Sequence, residues 1–451
     1  MIPTLPEQNE FDCTILAVCI QGGKDFIVLG KMPPLQTMVD CYKALHRISL
    51  KSGWDDVADE RATWLCRIHG AQLCKYRSLT NRDRRSAAAK AQEHILRSHA
   101  AKFTAALRVA ARVKQSFETL EPISLAELEK RAASICPYSK PQDAARLKLE
   151  IKADGSYRPT LSFGARSRAT QRLVEDVLDA RGLHNQFEFN TKGKGPAAAL
   201  TRVKKLVEQE GVRSFLVFDV ASWFPSLGPK HLDWLHLPSL VQKHTVFMGS
   251  HVHIIHDDNH HVEAEAARRG LPQGAALSGK IASVFLGREL SKLCGEMGKL
   301  TFADDGLVYA CSHADMETVA RTLERRFANH PGGPLSFKTL HASTIDAGFS
   351  FLGNWVQKRE DANGEVAVGF HPSHSARTKF QWRLFEKLNE LGPTVDFDSA
   401  IKKGEEYLDR WRSSFSKWQP SQDEIFEEVT RLYTLVGEYF HKGPMKCGAP
   451  L

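Results

Sequence analysis

Hydrophobic positions change their period several times along the chain, and the changes predict its elements. Residues 12–30 hold two β-branched-rich runs around Gly22-Gly23-Lys24, the pattern of a hairpin. From about Asp55 to Ser134 the chain is rich in Ala, Leu, Glu, Lys and Arg. Phe103, Leu107, Ala110, Val113 and Phe117 recur there at helical spacing, which predicts a helical bundle or a pair of long helices. Pro137 and Pro141 end that run. Residues 150–365 alternate short apolar strands, such as Ser214–Val220, with helical stretches, such as residues 315–327, and read as an α+β core. From His374 onward the helical period returns, with Phe380, Leu384 and Leu388, then Tyr407, Trp411 and Phe415, each four apart. No internal repeat or low-complexity tract interrupts this order.

Composition narrows the picture moderately. A chain of 451 residues that is 42% hydrophobic can bury cores in two or three subdomains, which excludes a mainly disordered protein. The net charge of +8, from 61 Lys and Arg against 53 Asp and Glu, fits a polyanionic partner, although many ordinary enzymes are as basic. Arg82, Arg84, Arg85, Lys90, Arg97, Lys102, Arg108, Arg112 and Lys114 crowd the helical segment and suit a phosphate backbone; a solvated basic face is the alternative. Nine scattered cysteines do not form a secreted disulfide framework, so a reducing cytosol is expected. The first residues lack the basic and apolar regions of a signal peptide, and no apolar run reaches the ~18 residues of a membrane span. A cytoplasmic protein with no membrane partner is the expectation.

The candidate chemistry lies in acids set among apolar residues. Asp304 and Asp305 sit between the runs KLTF and GLVYAC, so a tight hairpin would hold two repelling carboxylates at its tip. A divalent metal would neutralise them, whereas an isolated Asp pair is more often a surface turn. Asp219 changes that balance, because it ends the buried-type strand SFLVFDV. Carboxylates from two adjacent strands can bridge a pair of Mg2+ ions roughly 3.5 to 4 Å apart, the arrangement that nucleotidyl transfer uses.

The segments FDVASWFPSL, GLPQGAALSGKIAS and FADDGLVY then resemble polymerase motifs A, B and C in the order and spacing of reverse transcriptases. LSFKT and GFSFLGNWV resemble motifs D and E, and KADGSYRPTLSFGARSRATQRLV resembles the fingers motifs of bacterial group II intron and retron-type enzymes. The likeness covers roughly Lys152 to Val356. It implies an α+β right-hand polymerase. Residues 1–140 would be an N-terminal hairpin and helical extension, 141–213 fingers, 214–365 palm with minor finger elements inserted, and 366–451 a helical thumb.

The resemblance also assigns roles. Asp219 and Asp304 would be the main ligands of two Mg2+ ions, with Mn2+ as the alternative ion, Asp305 supporting them and Val220 beside Asp219 in the metal set. Phe224 would lie under the incoming sugar, where a ring clashes with a 2′-hydroxyl and selects deoxynucleotides. Gln273 and Gly274, in the loop LPQG, would contact the nascent base pair. Ser278-Gly279 departs from the Ser-Pro common in the group II and retron-type enzymes, which leaves the subgroup open. Lys152, Arg158 and Arg168 would meet triphosphate or template, Arg158 foremost, with Arg166 a further cation there; ordinary surface residues are the alternative for Arg166 and Arg168. Lys338 would protonate the leaving pyrophosphate, with an ordinary exposed lysine as its alternative. Phe351-Leu352-Gly353 would be the primer grip. Lys379, Arg383, Lys402, Lys403, Arg410 and Arg412 would face a heteroduplex, while Trp382, Trp411 and Trp418 pack the thumb.

The implied activity is RNA-directed DNA synthesis from a primer, with an RNA template, dNTPs and a DNA product as partners. The chain ends soon after the thumb, without an endonuclease, RNase H or integrase module, and lacks the Val-Thr-Gly of retron thumbs. A stand-alone enzyme copying a dedicated non-coding RNA in bacterial antiphage defence is therefore expected. Its oligomeric state is open, homo-oligomers included. Two rival readings are an RNA-directed RNA polymerase and a non-enzymatic RNA-binding scaffold. Two clusters invite metal readings but have plainer ones. His251, His253, His256, His260 and His261 around Asp257-Asp258 alternate like a β-hairpin, and Cys66, His69 and Cys74 lack a fourth nearby ligand.

Overall fold

A computed structural model describes residues 36–111, 119–152, 156–191, 193–293, 297–310, 316–360, 366–392 and 395–442. The hairpin expected over residues 12–30, and Arg112, Val113, Lys114 and Phe117, lie outside the described residues.

Five helices come first: α1 (Gln36–Ser52), α2 (Asp56–Asn81), α3 (Arg85–Arg97), α4 (His99–Ala110) and α5 (Leu125–Ser134). Asp55, Ser98 and Ser124 cap α2, α4 and α5 by accepting from backbone amides of the first turn. The helical run begins earlier than Asp55, because Cys41, Ala44, Leu45 and Ile48 of α1 form a buried stripe at helical spacing. These helices share one continuous core with the next helix and with the underside of the central sheet. They are built into the molecule rather than appended to it.

Next come β1 (Ala145–Ile151) and β2 (Tyr157–Phe163), an antiparallel pair, followed by α6 (Ala165–Ala180) and α7 (Pro196–Glu208). After β3 (Ser214–Val220) the chain forms the short α8 (Trp223–Ser226) and α9 (Ser239–Val241), then β4 (Ile254–Ile255), α10 (His261–Ala267) and α11 (Ala276–Ser291). The histidine-rich stretch corrects the expected hairpin. Its first arm is β4, which pairs parallel with β1, and its second is the helix α10. Residues Val262 to Ala267 are mostly Ala and Glu, strong helix formers, and Ala264 and Ala267 bury one face beneath the β1–β2 sheet.

The central sheet has the order β5 (Gly298–Phe302), β6 (Asp305–Ala310), β3, β7 (Phe337–Thr344), with α12 (Met316–Ala328) between β6 and β7. Side chains alternate across it. Leu216, Phe218 and Val308 face the main core, while Phe215, Val217 and Leu307 face a second core with α7 and a small sheet of β8 (Phe349–Phe351), β9 (Asn354–Glu360) and β10 (Val366–Pro372). Last come α13 (His374–Glu390), α14 (Phe397–Ser413) and α15 (Gln422–Lys442), which bury Phe380, Leu384, Leu408 and Leu432 in a core of their own. Residues 366–372, expected as the start of the helical thumb, are instead strand. The alternating VAVGFHP pairs antiparallel with β9 and buries Val368 and Phe370 against the small sheet. None of the described helices is long and apolar enough to cross a membrane.

Candidate active site

The antiparallel register of β3 and β6 sets Asp219 directly opposite Asp305, so the two carboxyls leave the same face of the sheet. That face is apolar up to this point: Phe215 and Val217 precede Asp219, and Leu307 follows Asp305 two residues on. The acids stand where its cover ends. Asp304 occupies the β5–β6 turn beside Ala303, whose φ of 58° is left-handed, and its carbonyl accepts from the Val220 amide at 3.4 Å. Val220 is itself buried and apolar, which leaves only its main-chain carbonyl oxygen to serve a metal.

Electrostatics bind these residues into one unit. Burial raises the Asp219 carboxyl, and the charge of Asp304 raises it further. Burial pushes Asp305 up to about 7, with the charges of Asp219 and then Asp304 adding to it. Asp304 is raised by burial as well. Two cations oppose this. Arg158 on β2 and Lys338 on β7 lower all three carboxyls without overcoming their crowding.

Lys338 owes its position to an irregularity in the sheet. Asp219 pairs with Thr339 and Val220 with Phe337, so Lys338 is the extra residue of a bulge. The bulge brings its Nζ to 3.8 Å from the Asp219 carboxylate while the side chain stays largely exposed. Arg158 reaches the acids from a different sheet.

The loop before α11 is fixed against both neighbours. Leu271 donates its amide to the carbonyl of Phe224, and the carbonyl of Gln273 accepts from Leu161 of β2 at 2.8 Å. Gly274 has a φ of 93°, and a Cβ there would sit 2.3 Å from the Leu161 carbonyl oxygen. Gly274→Ala should therefore push the loop off β2 and lower the melting temperature, the strain of a Cβ at positive φ adding to the clash, as thermal unfolding would report. Phe224, in α8, is half-buried against the main core. Gln171 of α6 accepts from the Ala276 amide and so anchors the start of α11.

Other expected residues lie elsewhere. Lys152 sits at the end of β1, where its amide bonds Ser156. Arg168 lines a cavity of about 230 Å³ between α6 and the α4–α5 region, together with Arg166. Arg108 does not face a phosphate backbone, because it is buried against Asp176. His69 bonds the same carboxylate, and Cys66 is sealed in the core. Lys379 of α13 lies near Arg383, Arg158 and Glu150, so the last helical unit reaches the β1–β2 sheet. The turn Phe351-Leu352-Gly353 joins β8 to β9, with positive φ at Leu352 and Gly353. One residue escaped sequence reasoning altogether: Glu188, buried behind the β5–β6 turn, whose only signal was a lone acid in the apolar run QFEF.

Among the described residues, no three His, Cys, Asp or Glu side chains converge tightly enough to hold a single ion as they stand. The donor set still fits divalent metal. Three half-buried carboxyls gather on two strands and the turn beside them, and the two nearby cations leave the repulsion at Asp219 and Asp305 uncompensated.

Comparison with known proteins agrees with this geometry. Residues 151–353 match the family model for reverse transcriptase (RNA-dependent DNA polymerase), somewhat under half of the chain. That segment is thus similar to a reverse-transcriptase domain, and it holds Asp219, Asp304 and Asp305. Among solved structures, the apo telomerase of Candida tropicalis is similar at 10% identity with a TM-score of 0.36, covering 66% of this chain and 63% of that one. The telomerase of Candida albicans, in complex with a fragment of telomeric RNA, gives 10% and 0.30 over 68% and 63%. The RNA-dependent RNA polymerase of a human picorbirnavirus gives 12% and 0.36 over 68% and 58%. This chain thus spans less than two thirds of each of those chains. No curated protein matches it.

Proposed function

We propose that the protein is an RNA-directed DNA polymerase that extends a primer with dNTPs, using Asp219, Asp304 and Asp305 to hold two divalent metal ions, Mg2+ or Mn2+. The reading rests on one observation above all, the cross-strand pair of Asp219 and Asp305 with Asp304 at the adjoining turn. Bound metal would supply Lewis-acid activation of the primer hydroxyl and charge neutralisation at the triphosphate.

The chain's own residues supply the rest. Arg158 brings a guanidinium from β2 to the edge of the acids, where it suits triphosphate oxygens. Lys338, exposed and aimed by its bulge, is placed to donate a proton to departing pyrophosphate. The loop of Gln273 and Gly274, pinned to β2, would pack against the new base pair, and Phe224 would exclude a 2′-hydroxyl. On this reading residues 141–213, 214–372 and 373–442 act as fingers, palm and thumb, with the α1–α5 helices bracing the fingers.

Purified full-length protein with a primed RNA template should incorporate dNTPs in strong preference to NTPs. Phe224→Ala should narrow that preference by about tenfold or more, the scale on which one steric contact discriminates. Preferential NTP incorporation would overturn the DNA-polymerase assignment. A dedicated non-coding RNA in an antiphage system remains the proposed template, and sequencing the RNA and DNA that co-purify with the protein tests it.

A further inference from the structure

Glu188 is 3% exposed; among the described residues its carboxylate is held by amides and hydroxyls, while Lys194 donates to its main-chain carbonyl at 3.3 Å. Residues 187–189 run parallel to β5 along its outer edge: Phe189 donates its amide to the Thr301 carbonyl and Thr301 returns one to Phe187, each at 2.9 Å. This places the carboxylate beneath the turn that carries Asp304. Oε1 accepts from the amides of Asn190 at 2.7 Å and Ala303 at 3.2 Å. Oε2 accepts from the Ser283 hydroxyl of α11 at 2.5 Å and from the Thr301 hydroxyl at 3.4 Å. Asn185 reinforces the node by donating to the Ser283 carbonyl and the Thr301 hydroxyl.

We propose that Glu188 is a positioning residue that sets the left-handed Ala303 and thereby the aim of Asp304 and Asp305, and that it couples this turn to α11. The inference rests on the polymerase reading of the three acids. Ala303 is a non-glycine residue at φ 58°, a conformation that L residues seldom hold without a specific partner. Its amide has that partner in Glu188. The same carboxylate grips Ser283, seven residues into the helix that follows the Gln273–Gly274 loop, so the metal-bearing turn and the helix behind the nucleotide loop cannot shift independently. An apolar residue at 188 would fill the space and leave the Ala303 and Asn190 amides and two hydroxyls without this acceptor.

Two readouts on the full chain test this. In amide hydrogen exchange, Glu188→Ala should speed exchange at Ala303 and its neighbours in the turn while leaving β3 and β7 protected. In primer extension the same variant should lose about tenfold to a hundredfold in kcat, as a misplaced reacting group does, with the dNTP KM within about twofold. Glu188→Gln keeps an acceptor oxygen for the two amides and should stay near the unsubstituted chain in both. Ala303→Gly, which relieves the left-handed residue, should recover part of the Glu188→Ala loss. Unchanged exchange at Ala303, or protection lost uniformly across the sheet, would overturn the proposal, the latter making Glu188 a plain stabiliser. If the unsubstituted protein makes no polymer, the polymerase reading fails, and the exchange result still decides whether Glu188 holds the turn.

Discussion

Replacing Asp304 and Asp305 together by Ala should abolish dNTP incorporation, by on the order of 10³-fold or more, the scale on which loss of a preorganised electrostatic group acts. The same substitution should leave RNA retention nearly intact and should not lower the melting temperature. The last point separates a functional site from a structural one. Burial raises all three carboxyls, and repulsion from neighbouring acids adds to it at Asp219 and Asp305, so in their charged form they oppose folding. Removing two of them relieves that strain, as happens where a site trades stability for activity. Asp219→Ala should cost about as much activity as the double variant, because residues acting as one unit are not additive. Incorporation within about tenfold of the unsubstituted chain would refute the assignment. A sharp fall in thermal stability would mean that the acids serve the fold.

Much of this fold was legible because local pattern and tertiary environment agree. The run SFLVFDV is apolar on both faces, and β3 is covered on both, so its bounds and its type were readable. The β5–β6 hairpin follows from equally strong local signals, and the right-hand α+β class was expected from the motif order. What stayed hidden depends on register and on distant partners. That Asp305 rather than Asp304 faces Asp219 is a property of strand pairing. Lys338 gains its aim from one extra residue in β7, and nothing in LSFKT announces a bulge. The histidine stretch was misread as a hairpin because alternation in HVHII was carried past Asp258 into residues that bury one helical face against β2. Arg108 looked like one cation among many until its acid, 68 residues away, was placed.

That acid supports the second large effect. Asp176→Ala should destabilise the whole chain by about 3–5 kcal/mol, the cost of leaving a buried charge without its partner. Asp176 lies in α6 and is fully buried, accepting from Arg108 of α4 at 2.6 and 2.5 Å, from Thr37 of α1 at 3.4 Å and bonding His69 of α2 at 3.1 Å. Burial alone would raise its carboxyl, but the Arg108 guanidinium and then His69 hold it below the usual carboxylate range. A depressed carboxyl contributes stability that is full above its unfolded value of about 3.9 and is lost as pH falls through the folded one, so this variant should flatten the acid limb of the stability curve. Arg108→Met with Asp176→Leu should recover most of the loss, since it removes both charges and keeps the volume. Four helices meet at this carboxylate, and three of them precede residue 151, where the reverse-transcriptase match begins. The matched segment alone would therefore expose the Asp176 face of α6, together with Leu173 and Ala180, to water. Expression of residues 141–442 should accordingly give aggregated protein, and a soluble, cooperatively melting product of that span would show that the α1–α5 helices are dispensable.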